Sequence, residues 1–112
     1  MAKIECELHG NFDAILNTLH NAVMEGSSSA SIEDNSDFYT NSARCSVRTY
    51  ERYSYTGNGR VSMNITLLEA DGRIFLSAIT SGGSQAMFFK INTIGETSFL
   101  DTIKNAVSQF IW

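Results

Sequence analysis

The chain has 112 residues, 43% hydrophobic and 18% charged, with a net charge of −4. That length predicts a single domain over 1–112 able to bury a core without staples, and the composition excludes a disordered chain. The acidic balance argues against nucleic acid, whose phosphates need a basic footprint, and the N-terminus holds no apolar run for a leader or a membrane span, so a cytoplasmic protein is expected.

Ala2, Ile4, Cys6 and Leu8 alternate with Lys3, Glu5 and Glu7, which predicts a half-buried strand. His9-Gly10 turns the chain. Phe12, Ile15, Leu16, Leu19, Ala22 and Val23 then recur at helical spacing, predicting a helix from about Asn11 to Glu25. Asn11 is its N-cap, Asp13 suits the positive first turn, and Gly26 is the stop. Ser27, Ser28 and Ser29 lead into a weaker strand around Ala30 to Glu33. Asp34-Asn35-Ser36-Asp37 lacks the glycine and distal glutamate of a calcium loop and is expected to be a turn.

The middle of the chain is a meander of strands. Ala43, Cys45, Val47 and Thr49 share one side of the first, with Arg44, Ser46, Arg48 and Arg52 on the other. Val61, Met63, Ile65 and Leu67 form the inner row of the next strand, and Ile74, Leu76 and Ala78 that of the one after. Asp71-Gly72 is a two-residue hairpin signal that pairs Leu67 with Leu76 and Ile65 with Ala78. For Gly57-Asn58-Gly59, a two-residue loop would set Arg52 against Ile65, a charge against the core row. A three-residue loop with a bulge instead pairs Tyr55 with Val61 and Tyr53 with Met63, and turns Glu51 inward opposite Ile65; this second register is the expected one. After Ser81-Gly82-Gly83-Ser84, the run from Ala86 to Ile91 predicts a last strand. Gly95 and Glu96 then open a second helix whose buried stripe is Phe99, Leu100, Ile103, Ala106, Val107 and Phe110. Cys6 and Cys45 share no metal spacing and are expected to be reduced, small buried side chains.

These elements predict an α+β fold, β-α-β(4-5)-α. A curved antiparallel sheet of five or six strands carries both helices on its concave face, with the first strand beside the last. The order resembles TATA-binding-protein halves and helix-grip ligand-binding proteins, a likeness that implies a space between the sheet and the C-terminal helix. The wording VRTYERYSYTGNGRVSMNITL and SAITSGGSQAMFFKINTIGE is similar to a family of small uncharacterised proteins from anaerobic Gram-positive bacteria. That resemblance spans essentially the whole chain and implies no activity.

Candidate chemistry is sparse. His9 and His20 show no orienting partner, and no serine, threonine or cysteine has an activating neighbour. Arg44, Arg48 and Arg52 are expected as a solvated basic row on the outer face, interleaved with Ser46, Tyr50 and Ser54. The Gly-Gly tract lacks the lysine of a phosphate loop and is expected to be a bulge or turn. Glu51, Tyr53 and Tyr55 stand higher. An ionised glutamate in a dry core is costly unless paired, so either the strand kinks to turn Glu51 out or it lines a polar cavity with the tyrosine hydroxyls. Phe75 and Ile79 point away from the core row and predict a partner, with Tyr50 and the arginines as a polar rim; the default is a homodimer. The competing expectation is that a loop from Glu33 to Asn41 covers them.

The leading functional expectation is a non-enzymatic binding or interaction module with no cofactor and no metal, holding a small amphipathic ligand between the sheet and the C-terminal helix. The alternatives are an enzyme with Glu51 as general acid or base and Tyr53 or Tyr55 polarising the substrate, and a structural homo-oligomer without a ligand.

Overall fold

A computed structural model describes residues 1–53, 59–82 and 89–112, with the side chains of 89–94 left aside. The class is α+β. Strands β1 (Ala2–Leu8), β2 (Ser31–Tyr39), β3 (Ala43–Tyr53), β4 (Arg60–Ala70) and β5 (Arg73–Gly82) form one antiparallel sheet in the order β1-β5-β4-β3-β2. Helix α1 (Phe12–Gly26) follows β1, and α2 (Phe89–Asp101) and α3 (Lys104–Ser108) follow β5.

Helix α1 begins where its cap residue predicts, since the Asn11 side chain accepts from Ala14 N at 3.0 Å. It buries Phe12, Ile15, Leu16, Leu19 and Val23, the apolar stripe of its sequence. Among the β4 and β5 residues in the same core cluster are Met63, Ile65, Leu67, Leu76 and Ala78. The β4–β5 hairpin has the expected register, with Leu67 opposite Leu76 and Ile65 opposite Ala78. Asp71 and Gly72 both adopt positive φ, 55° and 74°, the primed turn that matches strand twist.

Four expectations need correction. The Asp34–Asp37 stretch is not a turn: β2 runs through it to Tyr39, with a register shift between Ile32 and Asp34. The bulge absorbs the local turn chemistry while pairing with β3 continues. The run ending at Ile91 is not a strand over its described part, because α2 already begins at Phe89. Short apolar runs do not distinguish a buried strand from a buried helix by period alone. β1 therefore lies beside β5, the last strand among the described residues.

The third correction concerns register. Arg52 lies opposite Val61, Tyr50 opposite Met63, Arg48 opposite Ile65 and Ser46 opposite Leu67. Neither register weighed for Gly57-Asn58-Gly59 occurs, and residues 54–58 of that connection lie outside the described residues. The row Arg44, Ser46, Arg48, Tyr50 and Arg52 therefore shares the side of the core-facing β4 residues, and Cys45, Val47, Glu51 and Tyr53 take the other. The fourth follows from it: Cys45 is half-buried on the far side rather than a core residue, while Cys6 packs against the core, and both are free thiols.

Toward the C-terminus, Phe99, Leu100, Ile103, Ala106 and Val107 are buried as the stripe predicts. Thr102 Oγ1 donates to Phe99 O at 2.7 Å where α2 gives way to α3. Among the described residues no helix is long and apolar enough to cross a membrane.

Candidate functional site

Three arginines of β3 face the core side, each held differently. Arg44 sits at the start of α1: its Nη2 meets Asp13 Oδ1 at 2.6 Å and Tyr39 OH at 3.3 Å, and the guanidinium lies 4.2 Å over the Phe12 ring. The guanidinium holds the Asp13 carboxyl below its ordinary pKa and is itself shifted up. Arg52 is 2% exposed; its Nη2 donates to Ser98 Oγ at 2.9 Å, and the group lies 4.7 Å over the Phe99 ring. The third, Arg48, is half-buried and makes no ion pair with a carboxylate among the described residues.

Between and beside these lie Ser46 and Tyr50. Ser46 is fully buried, and its hydroxyl has no hydrogen-bond partner; nor does Arg48 Nε. Tyr50 is buried with its OH 2.9 Å from His20 Nδ1 on α1. Burial, and secondarily the charge of Arg48, pushes the His20 pKa down. Burial raises the Tyr50 pKa, opposed by Arg48 beside the hydroxyl. The basic row expected on the outer face is thus on the core side, and Tyr50 belongs to the core rather than to an outer rim. The physical reason is that arginine stems and a tyrosine ring fill space well, while their polar ends reach Asp13, Ser98 and His20 on the helices. Chemically, the row concentrates hydrogen-bond donors and positive charge beside α1.

The opposite face of the sheet holds the residues expected around a cavity. Glu51 points there and pairs with Arg60 Nη1 at 3.0 Å; Arg60 also reaches Glu33 at 3.3 Å and lies 5.7 Å over the Tyr53 ring. Tyr53 is exposed, and Tyr55 lies outside the described residues. Glu51 and Tyr53 are therefore side by side at one end of this face, away from the side that holds Tyr50 and Arg52. A carboxylate beside an arginine near solvent costs far less than one buried opposite Ile65.

Phe75 and Ile79 lie on this same face, 36% and 38% exposed, as alternation predicts. The segment expected to cover them is β2, which pairs with β3 at the far edge instead. The pairing brings Phe38, Cys45, Leu68 and Phe75 into one row across four strands, with Phe38 63% exposed. Around the row stand Val47, Thr49, Ser62, Asn64, Thr66 and Ser77, none charged. Charges fall at the margins: Glu7 with Arg73 at 2.7 Å and Lys3 and Glu5 on β1, Asp34 on β2, Glu51 with Arg60. Sequence reasoning missed Phe38 because its strand was read as ending at Glu33. It missed Leu68 because the Leu67-Leu68 pair places one leucine on each face.

No curated protein and no solved structure matches the chain. With this sheet, its arginine row and its uncharged face, the chain belongs to the family of unknown function DUF6054, which it matches over residues 1–111.

Proposed function

We propose that the protein is a single-domain, non-catalytic interaction module that pairs with a second copy through the face of the sheet bearing Phe75. The observation that carries this reading is the row Phe38, Cys45, Leu68 and Phe75, flanked by uncharged residues on β3 and β4 and closed at its β1 end by Glu7 and Arg73, whose guanidinium lies 4.9 Å over the Phe75 ring. An apolar centre inside a polar rim is the composition of a protein interface. Five strands about 4.8 Å apart, each of seven to eleven residues rising about 3.4 Å, span roughly 800 Å². That is the area each partner contributes to an interface of standard size, about 800 Å².

Helices α1 and α2 cover the other face, in the helix-grip manner. Tyr50, Met63 and Thr80 lie side by side across β3, β4 and β5; Tyr50 meets His20 of α1, and Thr80 Oγ1 donates to Glu96 O of α2 at 3.1 Å. Val61, Met63, Thr80 and Phe99 are all buried, which favours a filled core there over an amphipathic ligand. The enzyme reading rested on Glu51 in a helix-side cavity, and its pairing with Arg60 on the opposite face removes that support.

Sedimentation equilibrium tests the proposal. The parent is expected to be dimeric at about 100 μM, and a Phe38→Asp, Phe75→Asp variant monomeric with an unchanged circular-dichroism spectrum. A parent that stays monomeric at that concentration, or a folded variant that still dimerises equally, would overturn it.

A further inference from the structure

On the core side of β3, Arg48 lies beside the Tyr50 hydroxyl and carries a charge that no carboxylate among the described residues matches. Arg44 has Asp13, and Arg52 meets Ser98 and the Phe99 ring, but no carboxylate of the described residues pairs with Arg48. Of the two β2 acids near it in register, Asp34 lies opposite Thr49 on the other side of the sheet, and Asp37 lies on the same side, opposite Ser46 and next but one to Asn35, which is opposite Arg48; the Asn35 Nδ2 donates to Asp37 at 3.3 Å. A half-buried cation without a counter-charge is costly, and the cost is unusual in a chain with 12 acidic residues to draw on. Two residues away on the same side of the strand, the buried Ser46 hydroxyl also lacks a partner, as does Arg48 Nε. Polar groups this deeply buried are nearly always satisfied. The flank is open on one side, because Asn35, Asp37 and Tyr39 of β2, which share the side of Arg48 and Ser46, are all exposed.

We infer that Arg48 and Ser46 form a site for a small oxyanion, a phosphate or carboxylate group, entered from the side of β2. The guanidinium fork takes two anion oxygens, and the serine hydroxyl donates to one of them. Ser46 Oγ and Arg48 Nε are closed to water as the side chains stand, so binding an anion requires a rearrangement of the Arg48 side chain. The site lies on the face opposite the proposed dimer contact and does not depend on it.

The test is an amide-resolved NMR titration of the full chain with inorganic phosphate, and separately with acetate, at ionic strength held constant with sodium chloride. Saturable shifts centred on Ser46, Arg48 and Asn35 are expected with at least one of the two. Tighter phosphate binding points to a phosphorylated ligand, and tighter acetate binding to a carboxylate. Arg48→Gln is expected to weaken binding about tenfold with dispersion retained. Asp37→Asn, at an exposed position, is expected to tighten it about threefold by removing the acid that lies opposite Ser46 on the same side of the sheet. Shifts that never saturate with either anion would overturn the site. So would affinities unchanged in both variants; if Arg48→Gln fails to fold, an unchanged Asp37→Asn affinity overturns it alone.

Discussion

Arg52 meets its two described partners, Ser98 and Phe99, on α2, more than forty positions along the chain. Its stem and planar head fill a place in the core that a shorter side chain would leave empty. Arg52→Ala is therefore expected to lower stability by about 3 kcal/mol in urea unfolding. A loss below about 1 kcal/mol would show that β3 and α2 close together without it. His20 contributes in the other direction of charge. Its folded pKa is depressed, chiefly by burial, so in the window between the folded and unfolded values the unfolded chain binds more protons. Stability from this group is full above the unfolded value and falls as pH drops through the folded one. Urea midpoints taken from about pH 7.5 down to about pH 5 should fall more steeply in the parent than in His20→Gln. Equal slopes would place the pH dependence elsewhere.

Two glycines at the ends of elements separate backbone strain from crowding. Gly72 has φ of 74° and open space where a Cβ would stand. Gly72→Ala should cost about 1 kcal/mol, conformational in origin, and leave the β4–β5 register intact. At the end of α1 the case is steric, because a Cβ on Gly26 would stand 2.8 Å from Thr102 Cβ. Gly26→Ala should cost about 2 kcal/mol, and adding Thr102→Gly should recover part of it in a double-mutant cycle. Strict additivity of the two changes would refute the contact. Both glycines were legible in the sequence as punctuation, Gly72 from its hairpin dipeptide and Gly26 as a helix stop. That Gly26 also admits Thr102 was not, since Gly26 ends α1 and Thr102 lies in the turn between α2 and α3, far along the chain.

At the scale of the whole molecule, a dimer formed across the sheet ties stability to concentration. The parent's thermal midpoint should rise with protein concentration, while that of Phe38→Asp, Phe75→Asp stays fixed. Identical, concentration-independent midpoints would argue for a monomer.

The sequence by itself determined every element whose two faces differ strongly. β1, α1, β4, β5 and the α2–α3 stripe all show apolar residues at one period on one side, and the Asp71-Gly72 turn locks one register to its neighbour. Only the tertiary structure decided β3. Alternation divides it into two rows, Cys45 and Val47 against Arg44, Ser46, Arg48, Tyr50 and Arg52, and hydrophobicity favours the first as the buried one. The second faces the core because Asp13 and His20 on α1 and Ser98 and Phe99 on α2 receive the polar ends of Arg44, Tyr50 and Arg52. Those partners lie far along the chain, so no local pattern announces them. Which face Glu51, Phe38 and Leu68 occupy, and with it the whole candidate site, follows from that one choice of side.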